Sequence, residues 1–433
     1  MRFYNLNTPT KFVTLKEAVL TGIQGTDGLY MPESIPALPQ SFFDSLIDMS
    51  LPQIAYEVTK TMLGDDLSDE VIKQITSEAV NFPIPLVQVA DNIYALELFH
   101  GPTLAFKDVG ARFMAGLFEQ LLQQDEQQIH ILVATSGDTG GAVANAFHNK
   151  KNIRVTILYP SGKVSPLQEL QLTTLGGNVD ALEVEGTFDD CQAMVKQAFA
   201  DASIQNKINL ASANSINFAR FFPQSFYYFY AYAQLKKLHP DSEVVISVPS
   251  GNFGNLTGGL VAKRMGLPVQ HYIAANNAND VVKDYLRTGN YAARPSVQTI
   301  SNAMDVGNPS NFSRMLALYQ NNWEAMKADV SGYSYNDDET KKAIAAVLEN
   351  HNYLCDPHGA VGYLALEEYL DGKPNAKGVF LETAHPCKFS EVVEEVIDMK
   401  VAIPESLEAM QGKPQYKQPI SADYEQLRNY LLG

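Results

Sequence analysis

Short apolar runs that alternate with helical segments are the feature that most constrains how this chain can fold. Buried strands are predicted at 129–134, 153–159, 179–184, 244–248, 271–274 and 378–381. Helical spacing of apolar residues is found between or after them, at 189–199, 339–349 and 360–370. Strands joined by helices of this length form parallel sheets that are covered on both faces. The chain is therefore predicted to be an α/β protein.

The length of the chain, 433 residues, is too great for one hydrophobic core, so more than one domain is expected. Residues 1–82 are predicted to be a mostly helical N-terminal extension, with helical spacing at 15–20, 42–51 and 69–80. Pro83 and Pro85 mark a junction, because two prolines cannot continue a helix. We expect one α/β domain over 83–220 and a second over 221–433.

Charge and cysteine content argue against several classes of protein. The chain has 32 basic and 49 acidic residues, a net charge of −17, and no basic tract, so neither nucleic acid nor a membrane is an expected partner. No stretch approaches a membrane span, and the N-terminus has no apolar signal region. Three cysteines do not suggest a disulfide framework. We expect a cytoplasmic protein with a small-molecule ligand, acting as a monomer or a homodimer.

Lys107 is the candidate for chemistry in the first half of the chain. It follows an apolar run at 94–99 and a Gly-Pro turn, and helical spacing begins directly after it. A lysine at a helix start meets the positive end of the peptide dipoles, which disfavours its charged form, and partial burial adds to the effect. An amine that deprotonates easily suits Schiff-base chemistry. An ordinary surface lysine is the alternative.

Two glycine-rich turns follow predicted strands and open helices. The turn at 250–255, SGNFGN, lacks the Lys-Ser/Thr ending of an ATP P-loop and does not match the dinucleotide fingerprint. We expect it to bind a phosphate through backbone amides, without a metal. The turn at 136–141, SGDTGG, adds hydroxyls and one carboxylate, so the two turns indicate two phosphates, or a phosphate and a carboxylate. Tight packing alone is the alternative for both.

Two more polar segments follow predicted strands. The segment 214–220, NSINFAR, either caps a helix or uses its arginine to bind a phosphate or carboxylate. The segment 382–388, ETAHPCK, carries the hydroxyl of Thr383. Its histidine and cysteine, taken with Cys355 and His358, match no usual zinc spacing, so no metal site is predicted.

Five segments in order resemble the threonine synthase family, in its bacterial and fungal type. They are HGPTLAFKDVGAR at 100–112, TSGDTGGA at 135–142, SANSINFAR at 212–220, VPSGNFGN at 248–255 and TAHPCKF at 383–389. The resemblance runs from Tyr4 to the last helix. It implies a fold-type II pyridoxal-phosphate enzyme, similar to tryptophan synthase β, with two parallel-sheet α/β domains, the active site between them, and a mostly helical N-terminal extension.

The resemblance also implies roles for individual residues. Lys107 matches the lysine that forms the Schiff base with pyridoxal 5′-phosphate, and Thr383 matches the hydroxyl that faces the pyridine nitrogen. Asp138 stands where relatives often have asparagine near the 3′-oxygen of the cofactor. The loop that holds the cofactor phosphate is matched by Gly251, Asn252, Phe253, Gly254 and Asn255. The groups that bind the substrate's phosphate and carboxylate are matched by Ser136, Thr139, Asn214, Ser215 and Arg220.

The implied reaction converts O-phospho-L-homoserine and water to L-threonine and phosphate, by γ-elimination and addition of water at Cβ, as the last step of threonine biosynthesis. The nearest alternative is a dehydratase, or a phospho-lyase that releases α-ketobutyrate, because the sequence does not show where the attacking water is held. A catalytically silent phosphate-binding relative is the other alternative, and the presence of Lys107 argues against it.

Overall fold

The computed structural model describes residues 1–21, 28–123 and 128–433. Residues 22–27 of the expected N-terminal extension and 124–127 of the expected first α/β domain lie outside the described residues. The chain forms two compact units. The first consists of Met1–Glu33, Lys107–Arg220 and Ile403–Gly433, and the second of Ser34–Phe106 and Phe221–Ala402. Both units combine segments that are distant in the sequence, whereas the three domains expected from the sequence are continuous.

The described residues form the following elements. The strands are β1 (Phe3–Asn5), β2 (Thr8–Val13), β3 (Tyr30–Pro32), β4 (Leu86–Ala90), β5 (Ile93–Glu97), β6 (Ile129–Ala134), β7 (Ile153–Pro160), β8 (Val179–Glu185), β9 (Asn209–Ala211), β10 (Glu243–Pro249), β11 (His271–Asn276), β12 (Val330–Ser334), β13 (Ala376–Glu382) and β14 (Lys417–Ser421). The α-helices are α1 (Leu15–Thr21), α2 (Gln40–Ser45), α3 (Leu51–Leu63), α4 (Asp69–Ala79), α5 (Lys107–Leu122), α6 (Asp138–Phe147), α7 (Pro166–Thr173), α8 (Phe188–Ala200), α9 (Ala202–Gln205), α10 (Phe218–Phe221), α11 (Ser225–Leu238), α12 (Gly254–Arg264), α13 (Val281–Thr288), α14 (Phe312–Leu318), α15 (Trp323–Asp329), α16 (Asp337–His351), α17 (Pro357–Leu370), α18 (Ser390–Ile397), α19 (Glu405–Glu408) and α20 (Tyr424–Leu432). Short 3₁₀ helices cover Leu46–Asp48, Phe222–Gln224, Asn302–Met304 and Pro386–Phe389.

The first unit contains a five-stranded parallel sheet in the order β14-β8-β7-β6-β9. Every residue of β6 is buried, as expected for a strand that is covered on both faces. Strands β6 and β9 are parallel neighbours, with Ile131 beside Ala211. Their carboxyl ends therefore open at the same edge of the sheet, where the segments 135–141 and 212–220 follow.

The second unit contains a six-stranded sheet in the order β12-β11-β10-β13-β5-β4. Strand β13 pairs in parallel with both β10 and β5, so the segments that follow β10 and β13 leave the sheet at the same edge. Strand β4, which the sequence analysis did not predict, is antiparallel to β5. Only two residues join β4 to β5, and a connection that short cannot make the crossover that a parallel pair requires.

Each sheet has its own apolar core. In the first unit, Leu132 and Leu182 of the sheet belong to one buried cluster with Met194 of α8. In the second unit, Val245 and Phe380 of the sheet belong to a cluster with Val361 of α17. None of the helices in the described parts of the chain has the length and apolar content needed to cross a membrane.

The N-terminal region contains more strand and more helix breaks than predicted. Strands β2, β1 and β3 form a small antiparallel sheet within the first 32 residues. The predicted helix over 42–51 is confirmed only as far as Asp48, because the chain leaves helical conformation at Met49 and a new helix, α3, begins at Leu51. A capping box explains the break, since the backbone N–H of Ser50 donates to Oε1 of Gln53 at 2.8 Å. Helices α1 and α4 lie where the sequence predicted them.

Candidate active site

Lys107 is the first residue of α5, which confirms the prediction of a lysine at a helix start. Its Nζ lies 3.6 Å from Oδ2 of Asp138, the first residue of α6. The two side chains are 16% and 4% exposed, so water screens their interaction only weakly. A carboxylate at this distance favours the ammonium form, in opposition to the helix N-terminus. The first unit thus places the candidate amine beside a buried acid.

A glutamine that the sequence analysis missed holds Asp138. Nε2 of Gln168 donates to Oδ1 of Asp138 at 2.9 Å, while Oε1 of Gln168 accepts the backbone N–H of Ser165 at 3.2 Å. Ser165 and Gln168 form the capping box of α7. Gly137 makes room for this amide, since a Cβ at Gly137 would lie 2.5 Å from Cδ of Gln168. The sequence SPLQ signalled the helix start but not the contact with Asp138.

The turn after β6 is shaped by a buried threonine. Oγ1 of Thr135 accepts the backbone N–H of Gly137 at 3.0 Å and that of Gly140 at 2.8 Å. Gly137 has φ of 134°, a conformation that side chains rarely adopt. Ser136 and Thr139 on the same turn are partly exposed, whereas Thr135 is buried. The turn therefore presents the hydroxyls of Ser136 and Thr139 at the edge of the sheet.

The turn after β9 presents polar side chains at the same edge. Asn214 and Ser215 are partly exposed. Buried Asn217 anchors the turn, because its Nδ2 donates to the carbonyl of Val19 at 2.8 Å and to that of Ser212 at 3.2 Å. The predicted substrate residues Ser136, Thr139, Asn214 and Ser215 thus belong to two turns that follow neighbouring strands.

Arg220 is buried, at 3% exposure, whereas Asn214 and Ser215 earlier on the same turn are partly exposed. Its guanidinium donates to the carbonyl of Ala213, and burial lowers the pKa of Arg220 to about 10, although Asp108 opposes the change. Arg220 also packs closely on α5, since a Cβ at Gly110 would lie 2.4 Å from the carbonyl oxygen of Arg220. Arg220 therefore stabilises the turn through its bond to Ala213, whether or not it also binds a ligand. The sequence did not predict this structural role.

In the second unit, the turn after β10 leads to a helix whose N-cap side chain makes no capping bond, although Oδ1 of Asn255 accepts the backbone N–H of Leu256 at 2.9 Å. Helix α12 begins at Gly254, and no side chain bonds to its first backbone amides from the N-cap position. Phe253, the N-cap residue, has φ of 58°, a left-handed conformation that costs energy for a bulky residue. An uncapped helix N-terminus preceded by a strained turn is typical of an anion-binding site.

Side chains of the 250–255 turn close it upon itself. Oδ1 of Asn255 accepts the hydroxyl of Ser250 at 2.8 Å, and Nδ2 of Asn255 donates to the carbonyl of Pro249 at 2.8 Å. Oδ1 of Asn252 accepts the backbone N–H of Ser310 at 2.6 Å. The side-chain oxygens of Asn252 and Asn255 thus accept hydrogen bonds from other residues of the protein and fix the shape of the turn. A ligand would therefore be bound by the backbone amides of the turn.

A buried cation lies behind the same turn. Nδ2 of Asn311 donates to the carbonyl of Asn252 at 3.0 Å, and Oδ1 of Asn311 accepts from Nη1 of Arg314 at 2.6 Å. Arg314 is fully buried, with its guanidinium carbon 4.2 Å from the ring centre of Phe221. Burial lowers the pKa of Arg314 to about 9, which still leaves it charged at neutral pH. The sequence analysis did not predict this residue.

Thr383 directly follows β13 and is 5% exposed. Its carbonyl accepts the backbone N–H of Phe106 at 2.9 Å, and Ala384 forms a bridge with Ala105. Nearby His385 accepts the backbone N–H of Cys387 through Nδ1, and burial lowers the pKa of His385 to about 4. The surroundings of Thr383 therefore include a neutral histidine.

The groups described so far fit pyridoxal 5′-phosphate. The first unit has a lysine amine of the kind that forms a Schiff base, and the second unit has, taken by itself, a helix start suited to a phosphate and a buried hydroxyl suited to a ring nitrogen. Across residues 1–21, 28–123 and 128–433, no group of three or more His, Cys, Asp and Glu side chains is placed to hold a metal ion.

Comparison with protein families covers nearly the whole chain. The family described as pyridoxal-phosphate dependent enzyme matches residues 81–381. The families described as threonine synthase N terminus and threonine synthase, C-terminal match residues 5–80 and 359–431. Among curated proteins, the threonine synthase of Haemophilus influenzae is 45% identical over 433 residues, covering 100% of both chains. That of Escherichia coli is 40% identical over 434 residues, again covering 100% of both.

Solved structures give the same relationship. The crystal structure of threonine synthase from Escherichia coli matches with a TM-score of 0.93 and 40% identity, covering 100% of this chain and 99% of that one. The structure of PLP-bound threonine synthase from Brucella melitensis matches with a TM-score of 0.92 and 34% identity, covering 100% and 98%. Maize serine racemase, at 16% identity and a TM-score of 0.53, shares the fold alone.

Proposed function

The chain belongs to the threonine synthase family of pyridoxal-phosphate enzymes, and we propose that it converts O-phospho-L-homoserine and water to L-threonine and phosphate. The cofactor of this lyase is pyridoxal 5′-phosphate. The observation that carries the proposal is the arrangement in the first unit. The amine of Lys107 lies beside Asp138, and four partly exposed hydroxyl and amide side chains follow two neighbouring strands.

Lys107 is proposed to hold the cofactor and to move the proton of the substrate's α-carbon. When bound, the cofactor supplies an electron sink that stabilises negative charge at that carbon. With cofactor and substrate bound, the Nζ of Lys107 would be the base that takes the Cα proton and later returns it. A position on the first turn of α5 keeps this amine on a rigid element, where the helix N-terminus favours its neutral form and Asp138 favours its charged form.

The 250–255 turn is proposed to bind the cofactor phosphate. The groups involved are the backbone amides of Gly251, Asn252, Phe253, Gly254 and Asn255. What supports this assignment is the start of α12, where the N-cap residue makes no capping bond, the strained Phe253, and the buried positive charge of Arg314, which donates to Asn311. Side-chain bonds within the turn fix the amides before a phosphate arrives, so binding does not have to order them.

Thr383 is proposed to face the pyridine nitrogen. A neutral hydroxyl does not stabilise a proton on that nitrogen as a carboxylate would. The ring is then a weaker electron sink, which we take to favour elimination and replacement over transamination. The burial of Thr383 supports this role, because water would otherwise compete for the nitrogen.

Ser136, Thr139, Asn214, Ser215 and Arg220 are proposed to bind the phosphate and carboxylate of the substrate. The first four supply neutral donors that are accessible at one sheet edge. Arg220 supplies the positive charge, and its burial strengthens attraction to an anion because little water screens it. In an acidic protein of net charge −17, such a local cation is needed to attract a doubly anionic substrate.

Asp138 is proposed to lie near the 3′-oxygen of the cofactor. A carboxylate and a phenolate repel each other unless a proton lies between them. Gln168 donates to Oδ1 of Asp138, and Oδ2 lies 3.6 Å from Nζ of Lys107. A proton on Asp138 would relieve the repulsion from the 3′-oxygen.

A product assay tests the proposal. Purified protein, pyridoxal phosphate and O-phospho-L-homoserine are combined, and phosphate, threonine and α-ketobutyrate are followed together. Equal amounts of phosphate and threonine are expected. Phosphate with α-ketobutyrate would instead establish the phospho-lyase, and no phosphate from a yellow, folded protein would mean a different substrate.

We also propose that the enzyme acts in the cytoplasm as a monomer or a homodimer. Cys191, Cys355 and Cys387 are free and buried, as is usual for proteins of a reducing compartment.

A further inference from the structure

A chain of buried polar side chains in the second unit lies outside the roles assigned so far. It begins at Asp356, the N-cap residue of α17, which is fully buried and accepts the backbone N–H of His358 at 2.8 Å. Oδ1 of Asp356 also lies 2.5 Å from Nδ1 of His358. His358 is 2% exposed, so this contact is shielded from water.

The second nitrogen of His358 defines its protonation. The backbone N–H of Ala303 donates to Nε2 of His358 at 3.2 Å. An imidazole nitrogen that accepts a hydrogen bond carries no proton, so the proton of His358 resides on Nδ1 and points at Asp356. His358 therefore has a donor on the side of Asp356 and an acceptor on the side of Ala303.

Glu382, the last residue of β13, continues the chain on the other side of Asp356. It is fully buried, and neither of its carboxyl oxygens accepts a hydrogen bond from a donor of the described residues. Burial and the charge of Asp356 raise the pKa of Glu382 well above its ordinary value. Burial also acts to raise the pKa of Asp356, but the contacts with His358 outweigh it and lower that pKa. Both carboxyl groups lie at the first turn of α17, since the N–H of Gly359 donates to Oδ2 of Asp356 at 3.3 Å and a Cβ at Gly359 would lie 2.1 Å from Oε1 of Glu382. Glu382 therefore favours its protonated form beside Asp356.

The backbone at Ala303 forms one wall of the 250–255 turn. A Cβ at Gly251 would lie 2.6 Å from the carbonyl oxygen of Ala303 and 2.7 Å from Cα of Met304. Gly251 is therefore in close contact with the 3₁₀ turn Asn302–Met304. The hydrogen bond from the backbone N–H of Ala303 to His358 fixes the position of that turn.

We propose that Glu382, Asp356 and His358 are positioning residues that press the Asn302–Met304 turn against Gly251 and so set the geometry of the cofactor-phosphate turn. The inference rests on the proposed role of the 250–255 turn. It also connects the residue before Thr383 with the phosphate turn, through contacts that lie within one unit. Asp356 and His358 belong to the Cys-Asp-Pro-His motif, which matched no zinc site. The proposal gives these two residues a positioning role instead.

Two substitutions of His358 distinguish the contribution of its bond to Asp356 from that of its bond to Ala303. In His358→Asn the side-chain amide replaces Nδ1 and keeps a donor to Asp356, but it cannot reach the N–H of Ala303. In His358→Gln the longer amide replaces Nε2 and keeps an acceptor for Ala303. The apoprotein of each variant is titrated with pyridoxal 5′-phosphate and, separately, with pyridoxal, which lacks the phosphate. The ³¹P chemical shift of the bound cofactor is the second measurement.

We expect His358→Asn to weaken binding of pyridoxal 5′-phosphate but not binding of pyridoxal, which lacks the phosphate. His358→Asn should weaken pyridoxal-phosphate binding about tenfold, the effect of one lost buried hydrogen bond, and should shift the ³¹P resonance. Its affinity for pyridoxal should stay within about twofold of that of the parent protein, and His358→Gln should bind both compounds more nearly as the parent does. Glu382→Gln, which keeps a donor to Asp356, should leave both affinities unchanged.

Equal weakening of both compounds by His358→Asn would overturn the inference, because general loosening of the fold lacks phosphate selectivity. Unchanged phosphate affinity in a folded His358→Asn protein would overturn it as well, and so would loss of affinity in Glu382→Gln. The proposed function fails separately, if the parent protein does not bind pyridoxal phosphate or makes another product.

Discussion

Nζ of Lys107 lies 3.6 Å from Oδ2 of Asp138, at the first residues of α5 and α6. Two helix starts therefore meet with opposite charges in a place where water has little access. The helix N-terminus stabilises the carboxylate and disfavours the ammonium, while the pair stabilises both charges. The first helical turns of α5 and α6 thus hold the amine of Lys107 and the carboxyl group of Asp138 in fixed relative positions.

Replacing Lys107 with alanine should remove both the cofactor attachment and the base. Turnover of phosphohomoserine should fall by about a thousandfold or more, and the yellow absorbance of the protein with bound cofactor should disappear. Lys107→Arg is the matched control, since it keeps a positive charge near Asp138 but cannot form a Schiff base. A variant Lys107→Ala with full turnover and unchanged absorbance would contradict the assignment.

Gln168→Glu tests how Asp138 is held. The new side chain keeps an acceptor for the N–H of Ser165, so the α7 cap is preserved, but it faces Asp138 with a second carboxylate. Unfolding in urea should show a loss of about 2 kcal/mol or more at neutral pH, from two buried like charges. The loss should shrink as the pH falls toward the carboxyl range near 4. An unchanged urea midpoint would show that the contact contributes nothing.

Arg220→Lys tests whether Arg220 binds the phosphate of the substrate or that of the cofactor. The ammonium keeps the charge but not the two-pronged donor geometry, so KM for phosphohomoserine should rise about tenfold, with little change in cofactor content. Arg220→Ala should raise KM further and also lower stability, because the bond to Ala213 is lost. Loss of the cofactor from either variant, measured by absorbance after dialysis, would instead indicate that Arg220 binds the phosphate of the cofactor.

Gly251→Ala should disturb the cofactor-phosphate turn directly. The added Cβ would meet the backbone of Ala303 and Met304 at 2.6 and 2.7 Å, and backbone atoms cannot move aside as a flexible side chain can. Affinity for pyridoxal phosphate should fall about tenfold or more, as judged by titration of the apoprotein. Gly362→Ala is the control, because its Cβ would meet no atom closer than 3.3 Å.

Glu382→Gln should change how stability depends on pH. The raised pKa of Glu382 means that the folded state keeps a proton that the unfolded state loses above a pH of about 4.3. The stability contributed by Glu382 is therefore present below that pH and is lost as the pH rises toward the folded pKa. The variant, which has no proton to lose, should gain in free energy of unfolding relative to the parent protein as the pH increases. Parallel stability curves would contradict a protonated Glu382.

Most of the sheet structure could be predicted from the sequence because it depends on local patterns. The runs at 129–134, 153–159 and 179–184 form β6, β7 and β8 to within a residue at either end. A buried strand must be apolar along its length whatever its neighbours are, so its signal lies within a few residues. Strand β4 and the N-terminal sheet were missed, since short, partly exposed strands have no such pattern.

The site was predictable to the extent that its residues are adjacent in sequence. Lys107 at a helix start and the turns after β6, β9, β10 and β13 could be placed because each follows its strand directly. Partners from other segments could not be placed. Gln168 lies 30 residues from Asp138, and His358 lies 55 from Ala303, so neither bond has a local signal.

The sequence by itself determined the fold class, the family and the order of the reactive turns, since each is contained in short segments whose chemistry does not depend on distant residues. The tertiary structure alone decided that β9 lies beside β6 and β13 beside β10, and hence which turns share a sheet edge. It also decided that Gln168 orients Asp138 and that the chain from Glu382 to His358 lies behind Gly251. Strand order and buried polar contacts come from long-range packing, where many residues act together, and no local pattern records the result.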